Sequence, residues 1–217
     1  MELKSRLIYF VGIDGSGKTT LAKMLCDELG RKGFRVSLVW LRMNYFFTRP
    51  LLLLCRILGL TRRPVVDGRR ISVHDFYRSP LIAYLVRVLH TFDTFLHFIV
   101  KIYIPLKWTN KVIVCDRFLY DVFIDFSVEG RKANIFGTLL FKISRWLMLR
   151  HATTLLVCTP TEHILVRRPD VLRYDADFYV REKLFRELLE KKGVLTVYNT
   201  KSLEFAYQQV TMAVTKR

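Results

Sequence analysis

The sequence predicts an α/β fold in three layers: a five-stranded parallel sheet with helices on both faces. Three observations predict it. Short apolar runs alternate with stretches of helical spacing along the whole chain, and a glycine-rich turn joins the first run to the first helix. No Pro/Gly/Ser-rich linker, low-complexity tract or internal repeat interrupts the 217 residues. Strands separated by helices imply parallel pairing with both sheet faces covered. The length suits one domain over residues 1–217 with a sizeable core.

The elements follow in order. "RLIYFVG" (6–12) is a short apolar run ending in glycine, the pattern of a strand buried on both faces. Residues 18–31 carry Leu21, Met24, Leu25 and Leu29 at helical spacing. "RVSLVWL" (35–41) reads as the second strand, 44–60 as a helix broken at Pro50, and 61–78 as a basic loop. The segment from Pro80 to Pro105 is long enough to span a bilayer but carries Arg87, His90, Asp93, His97 and Lys101 every three or four residues. That period describes an amphipathic helix with one polar stripe, able to lie on a membrane surface but not to cross it. "KVIVC" (111–115) is the third strand and 119–150 a helical region. "TTLLVC" (153–158) is the fourth strand, 176–192 a helix, "GVLTVYN" (193–199) the fifth strand and 202–215 the last helix.

Composition narrows the partners. Hydrophobic residues make up 51% and charged residues 25%, as in ordinary folded domains. Lysine and arginine number 36 against 19 acids, a net charge of +17, which favours nucleotides, nucleic acid or an acidic membrane surface. Cys26, Cys55, Cys115 and Cys158 are far apart, with no C-x-x-C pair. Reduced thiols and a cytoplasmic location are the expectation, and no secretory signal is read at the N-terminus.

The glycine-rich turn is "VGIDGSGKTT" (11–20). Gly12, Gly17, Lys18 and Thr19 satisfy G-x-x-x-x-G-K-[ST] between a predicted strand and a predicted helix, where the mechanics of a phosphate loop require it. Glycines let the backbone curl so that N–H groups converge on a phosphate, and the helix start adds its positive dipole end. Gly12, Asp14, Gly15, Ser16, Gly17, Lys18, Thr19 and Thr20 are therefore the ATP-binding candidates. Lys18 is expected at the β- and γ-phosphates, and the Thr19 hydroxyl on Mg²⁺. The fold expected is that of the P-loop NTPases. "VIVCDRF" (112–118) adds an acid and a base at the carboxyl end of a central strand, where open α/β sheets bind ligands. Asp116 is expected to hold Mg²⁺, with Arg117 clamping a phosphate. The competing reading is an Asp–Arg pair that caps the next helix.

"FVGIDGSGKTTLAKML" together with "VIVCDRF" resembles the thymidylate kinases, a group of nucleoside monophosphate kinases. The resemblance runs over most of the chain, with an arginine-rich "VRRPD" (166–170) ahead of the late helix. It implies that Asp14 contacts the acceptor's sugar hydroxyl and that Arg117 acts on the phosphates. It implies too that Arg42, in "VWLRMN", binds the acceptor phosphate. A lid over about 160–175 would bring Arg167 and Arg168 to the transferring group, with Arg173 following. The acceptor-binding helices would occupy about 44–106.

Departures from the pattern concern the acceptor. The usual "REPG" after the second strand is absent, and the family's "FAADRAQH" corresponds, across a one-residue insertion, to "HTFDTFLH" (90–97). Asp93 and His97 match, Thr94 stands in place of the base-reading arginine, and His90 lies near the stacking ring. Asp121 replaces the family's later serine. Asp93, Thr94 and His97 join Asp14, Arg42 and Arg117 as acceptor-binding candidates, and a stripe of Arg87, His90, Asp93, Thr94 and His97 is expected either to line the pocket or to face water.

The expected activity is thus ATP-dependent phosphoryl transfer, with dTMP to dTDP as the default. Alternatives are a P-loop kinase of a nucleoside, sugar phosphate or lipid-linked phosphate, or an NTP-dependent nucleic-acid or membrane-associated factor. The run Arg62, Arg63, Arg69 and Arg70 would serve the last of these, though charge runs are commonly solvated. Phe76, Tyr77 and Arg78 form an aromatic-plus-cation group for a base or, more commonly, part of a core. Apolar positions over 135–149 would serve a homodimer face or the chain's own core.

Overall fold

The computed structural model describes residues 2–42, 45–132, 134–190 and 193–216, and their side chains except those of Arg69 and Glu190. The expected helix start at Asn44, the helix end at 191–192 and the Arg69 side chain of the basic run fall outside the described residues.

Five strands make one parallel sheet: β1 (Leu7–Val11), β2 (Val36–Val39), β3 (Val112–Asp116), β4 (Ala152–Cys158) and β5 (Val194–Tyr198). Their spatial order is β2-β3-β1-β4-β5. β1 sits at the centre, with Phe10 opposite Asp116 on one side and Leu155 on the other. Strand periodicity splits the core in two. Ile8, Phe10, Val112, Val114, Leu155 and Val157 face helices α1 (Lys18–Arg31) and the C-terminal helix (Leu203–Val214). Tyr9, Val11, Ile113, Cys115 and Leu156 belong to the other cluster. Both sides of β1 are buried, so its residues had to be apolar throughout.

The helices between β2 and β3 carry three departures from expectation. Helix α2 (Thr48–Ile57) is not broken at Pro50, because the proline lies in the first turn, where a missing N–H leaves no intrahelical bond unmade. The basic loop at 61–78 contains two short antiparallel pairings, Thr61–Arg62 with Val73–His74 and Val65–Val66 with Arg69–Arg70, then a single turn at Phe76–Arg78. Phe76 fills a small core with Cys55, Leu60 and Val86, whereas Tyr77 lies under the Arg131 guanidinium at 3.7 Å.

The third departure is α3 (Pro80–Phe98), which continues through a π turn, Ile99–Tyr103, into Ile104–Trp108. This helical stretch is long and apolar enough to cross a bilayer by length and composition. Yet its polar stripe is turned into the protein: His90, Asp93 and Thr94 are buried, while Leu81, Tyr84, Val100 and Trp108 are exposed.

The region expected to be one helix at 119–150 is two, α4 (Leu119–Glu129) and α5 (Leu139–Leu149). Asn134 takes a left-handed conformation between them, and the Thr138 hydroxyl accepts from the Phe141 N–H, starting α5 afresh. The face expected at 135–149 divides: Ile135, Phe136, Phe141 and Met148 fill this chain's own core, and Leu139, Ile143 and Trp146 remain outside. After β4 come α6 (Thr161–Arg167), a single turn at Val171–Tyr174, and α7 (Phe178–Arg186).

Candidate active site

The turn between β1 and α1 is built as a cradle. Gly15 and Gly17 have φ of +88° and +92°, and a Cβ on Gly17 would lie 2.5 Å from the Asn199 amide nitrogen. Only glycine satisfies both the conformation and the space. The Ser16 carbonyl is drawn outward by the Asn199 side-chain amide and the Thr159 hydroxyl, each at 2.9 Å. Residues following β4 and β5 thereby fix the loop. Turning that carbonyl out removes one acceptor from the loop, a step toward an anion-binding arrangement; the Ile13 carbonyl stays engaged by the Ser16 N–H and by Lys18.

Lys18 opens α1 with its ammonium buried inside the turn, where it donates to the Ile13 carbonyl at 3.0 Å and pairs with Asp14 at 3.4 Å. Burial pulls its pKa below the usual lysine value, and Asp14 opposes that. One residue on, the Thr19 hydroxyl donates to Asp116 Oδ2 at 2.5 Å, joining α1 to the end of β3. The other carboxylate oxygen, Oδ1, is buried without a partner, as is the Ser16 hydroxyl. Unpartnered buried oxygens are costly, and these two belong to the turn and to the strand end bonded to it.

Asp14 is the hub of the cations. Arg117 pairs with it directly, and Arg42 approaches to 3.8 Å. Burial would raise its carboxyl, but Lys18, Arg117 and Arg42 outweigh that and hold it far below the carboxylate range. Arg117 itself has φ of +69°, unusual for a side chain this large. Its N–H reaches Phe10 O and its carbonyl accepts from Leu41 N–H, so the ends of β1, β2 and β3 hold it there.

Beyond Asp14 the network runs into α4 and α7. Arg42 donates twice to Asp125, at 2.9 and 2.8 Å, and Arg181 donates to the same carboxylate while pairing with Asp175 at 3.0 Å. Burial would raise the Asp125 carboxyl, but the two guanidiniums hold it down. The cavity between these groups, about 10 Å³, has room for about one water molecule. Glu129, one turn along α4 from Asp125, is pushed up to about 8, first by burial and then by the Asp125 charge. Nearby, the Tyr45 ring rests 4.6 Å from that of His90, whose Nε2 is buried without a partner. Burial drops the His90 pKa to about 4.

The structure therefore brings together Gly12, Asp14, Gly15, Ser16, Gly17, Lys18, Thr19, Arg42, Asp116 and Arg117, with Thr20 exposed one position beyond Thr19 on α1. Asp93, Thr94 and His97 make their hydrogen bonds with α3 itself and with the start of α2. The Asp93 carboxylate accepts the Phe46, Phe47 and Thr48 N–H groups and the Thr48 hydroxyl, all within 3.0 Å, and so anchors the start of α2. Thr94 donates to the His90 carbonyl, and His97 Nδ1 bonds the Asp93 carbonyl. Asp121 likewise serves locally: it accepts from Phe118 N–H at the start of α4 and from the Tyr9 hydroxyl. In the lid region Ile164 packs against Gly15, Arg167 is exposed, and Arg168 is held bidentately by Asp170. Arg173 reaches Asp67 at 3.4 Å, tying the single turn at Val171–Tyr174 to the turn of the short hairpin at 65–70.

Sequence reading missed Arg181, Asp125 and Asn199. Arg181 had a legible signal: with Phe178, Leu184 and Phe185 it falls on the buried side of α7 at helical spacing. Also unread was a cavity of about 370 Å³ beside the loop, lined by Ile13, Cys158, Pro160, Phe185, Tyr198 and Thr200.

Residues 8–53 match the family described as "ATPase family associated with various cellular activities (AAA)". A crystal structure of thymidylate kinase from Ehrlichia chaffeensis superposes with a TM-score of 0.58 at 18% identity, covering 95% of this chain and 96% of that one. This is a P-loop NTPase fold. In sequence, the P-loop chain resembles two proteins named "Probable thymidylate kinase". The one from Pyrococcus abyssi is 36% identical over 115 residues, 52% of this chain and 48% of the relative. The one from Pyrococcus horikoshii is 31% identical over 118 residues, 54% and 50%. The chain spans about half the length of the curated relatives it matches.

Proposed function

We propose that this chain transfers the γ-phosphoryl group of ATP to the phosphate of a small acceptor, a nucleoside monophosphate of the thymidylate kind being the first candidate. The observation that carries the reading is the junction of Lys18, Thr19 and Asp116 at one end of the loop with Asp14, Arg42 and Arg117 at the other. A triphosphate binder needs only the first group; an enzyme that must also hold a second phosphate needs the second. The names of the curated relatives agree with it.

The residues fit Mg²⁺. Thr19 supplies a hydroxyl, and Asp116 keeps one buried oxygen without a partner beside it. When bound, the ion supplies charge neutralisation on the phosphate oxygens. The loop N–H groups and Lys18 hold the triphosphate, and Arg117 and Arg42 orient the acceptor phosphate. An oxygen of that phosphate attacks the γ-phosphorus, the bond to the β,γ-bridging oxygen breaks, and ADP leaves. The acceptor oxygen is already ionised, so no general base is required. Closure of the lid would bring Arg167, already exposed, and Arg168, once released from Asp170, to the transferring charge and would exclude water. The 370 Å³ cavity is of the size that takes a nucleobase.

A second reading changes only the acceptor. Thr94 stands where the thymidylate pattern has its base-reading arginine and is bonded back to its own helix, so the base-reading group differs from that pattern. ADP release with ATP and Mg²⁺ across thymidylate, other nucleoside monophosphates, nucleosides and sugar phosphates separates the two. Lys18→Ala is expected to abolish acceptor-stimulated release while circular dichroism is unchanged; retained turnover would refute the site.

A further inference from the structure

Helix α2 displays its apolar side to solvent. Ile57 is 76% exposed, Leu53 and Leu58 are each 55% exposed, and Phe46, just ahead of the helix, is 68% exposed. The helix is not loose. Cys55 is fully buried in the small core, and the Asp93 carboxylate holds the first N–H groups from below. Fixed this way, α2 presents a greasy ridge whose exposed cations, Arg49 and Arg56, lie among the apolar side chains. The stretch of chain that carries it is strongly basic. Between Tyr45 and Lys111 there are eleven lysines and arginines against three acids, Asp67, Asp75 and Asp93. Two of those acids are buried, and Asp67 is paired with Arg173.

We propose that the outward face of α2 docks on an anionic phospholipid bilayer, with the apolar ridge entering the headgroup region and the arginines at the phosphate level. Membrane binding of a helix lying in the interface scales with its buried apolar area and with attraction to anionic lipid, and α2 offers both on one side. Each cation near such a surface adds to the attraction, and the contribution fades within a Debye length. A second copy of this chain is disfavoured on this face, because it would bring two cationic fields together. A nucleic acid would gain from the arginines but leave Leu53, Ile57 and Leu58 without matching contacts. The docked surface lies outside the residues assigned to phosphoryl transfer, so the inference does not depend on that reading.

Flotation of the full chain with vesicles tests it. Phosphatidylcholine alone is compared with phosphatidylcholine containing about 30 mol % phosphatidylglycerol, at low salt and at about 0.5 M NaCl. Binding is expected only with the anionic vesicles and is expected to fall at high salt. Ile57→Glu and the pair Arg49→Glu/Arg56→Glu should each weaken it about tenfold or more, with ADP release and thermal midpoint unchanged. Ile57→Ser serves as a milder variant and should weaken binding less. The proposal is overturned by equal binding to neutral vesicles or by no binding to either. It is overturned as well if only the arginine pair matters and double-stranded DNA competes, which is the polyanion result. Light scattering that shows a dimer abolished by Ile57→Glu, without vesicle binding, would assign the face to a second copy instead.

Discussion

Asp14 is an acid in a loop proposed to hold anions, and its partners account for it. Without triphosphate the loop interior would hold Lys18, Arg117 and Arg42 facing one another; the carboxylate neutralises part of that charge. Asp125 does the same for Arg42 and Arg181 farther along. Glu129 is the exception, an acid held largely neutral near Asp125 with its pKa pushed up to about 8. An acid whose folded pKa lies above its unfolded value binds more protons when folded, so stability falls as pH rises between the two values. For Glu129 the window runs from about 4.3 in the unfolded chain up to about 8. Glu129→Gln should therefore flatten the decline in thermal midpoint between pH 5 and pH 8 and raise the midpoint most at the alkaline end. A variant whose pH profile parallels that of the parent would show that Glu129 is already ionised at neutral pH.

At the scale of elements, α3 is the instructive case. Its hydrophobic period is correct, but period alone does not say which face is inside, and here a buried carboxylate with four donors decides it. Burial by itself would raise the Asp93 carboxyl; the donors bring it below the ordinary range. Asp93→Ala leaves three backbone N–H groups and a hydroxyl short of an acceptor, and should cost about 3 kcal/mol in chemical denaturation. Asp93→Asn, which keeps one acceptor oxygen, should cost less. A loss within about 0.5 kcal/mol for alanine would mean that water replaces the carboxylate. The central strands β1 and β3 were legible because burial on both sides forces unbroken apolar runs, α1 because Leu21, Leu25 and Leu29 recur at helical spacing, and the phosphate loop because glycine, lysine and threonine each have a mechanical reason at a fixed spacing. The junction between α4 and α5 was not, since a helix period continues in phase across Gly130 and the Thr138 cap. Nor were Asp125 and Asn199, whose partners come from positions 83 and 183 residues away.

For the whole molecule the governing number is the net charge of +17. Exposed ion pairs that offset it are few among the described residues: Lys32–Glu28 and Arg186–Glu182 lie within single helix turns, while Arg173–Asp67 and Lys216–Glu2 join distant parts of the chain. Such pairs contribute little. Like charges crowd one another more in the folded chain than in the expanded one, so repulsion works against folding. Salt shortens its range, from about 30 Å at 0.01 M to about 8 Å at 0.15 M ionic strength. The buried pairs around Asp125 are screened far less. NaCl added over that range should raise the thermal midpoint, the reverse of what a fold held by surface ion pairs would show. Sodium sulfate at equal ionic strength should raise it further, because an anion seated in the phosphate loop stabilises the folded state by mass action. Lys18→Ala should remove that additional rise and leave the chloride effect intact. A midpoint that falls with chloride would place the balance with the surface pairs, and a sulfate effect that survives Lys18→Ala would put the anion somewhere other than the loop.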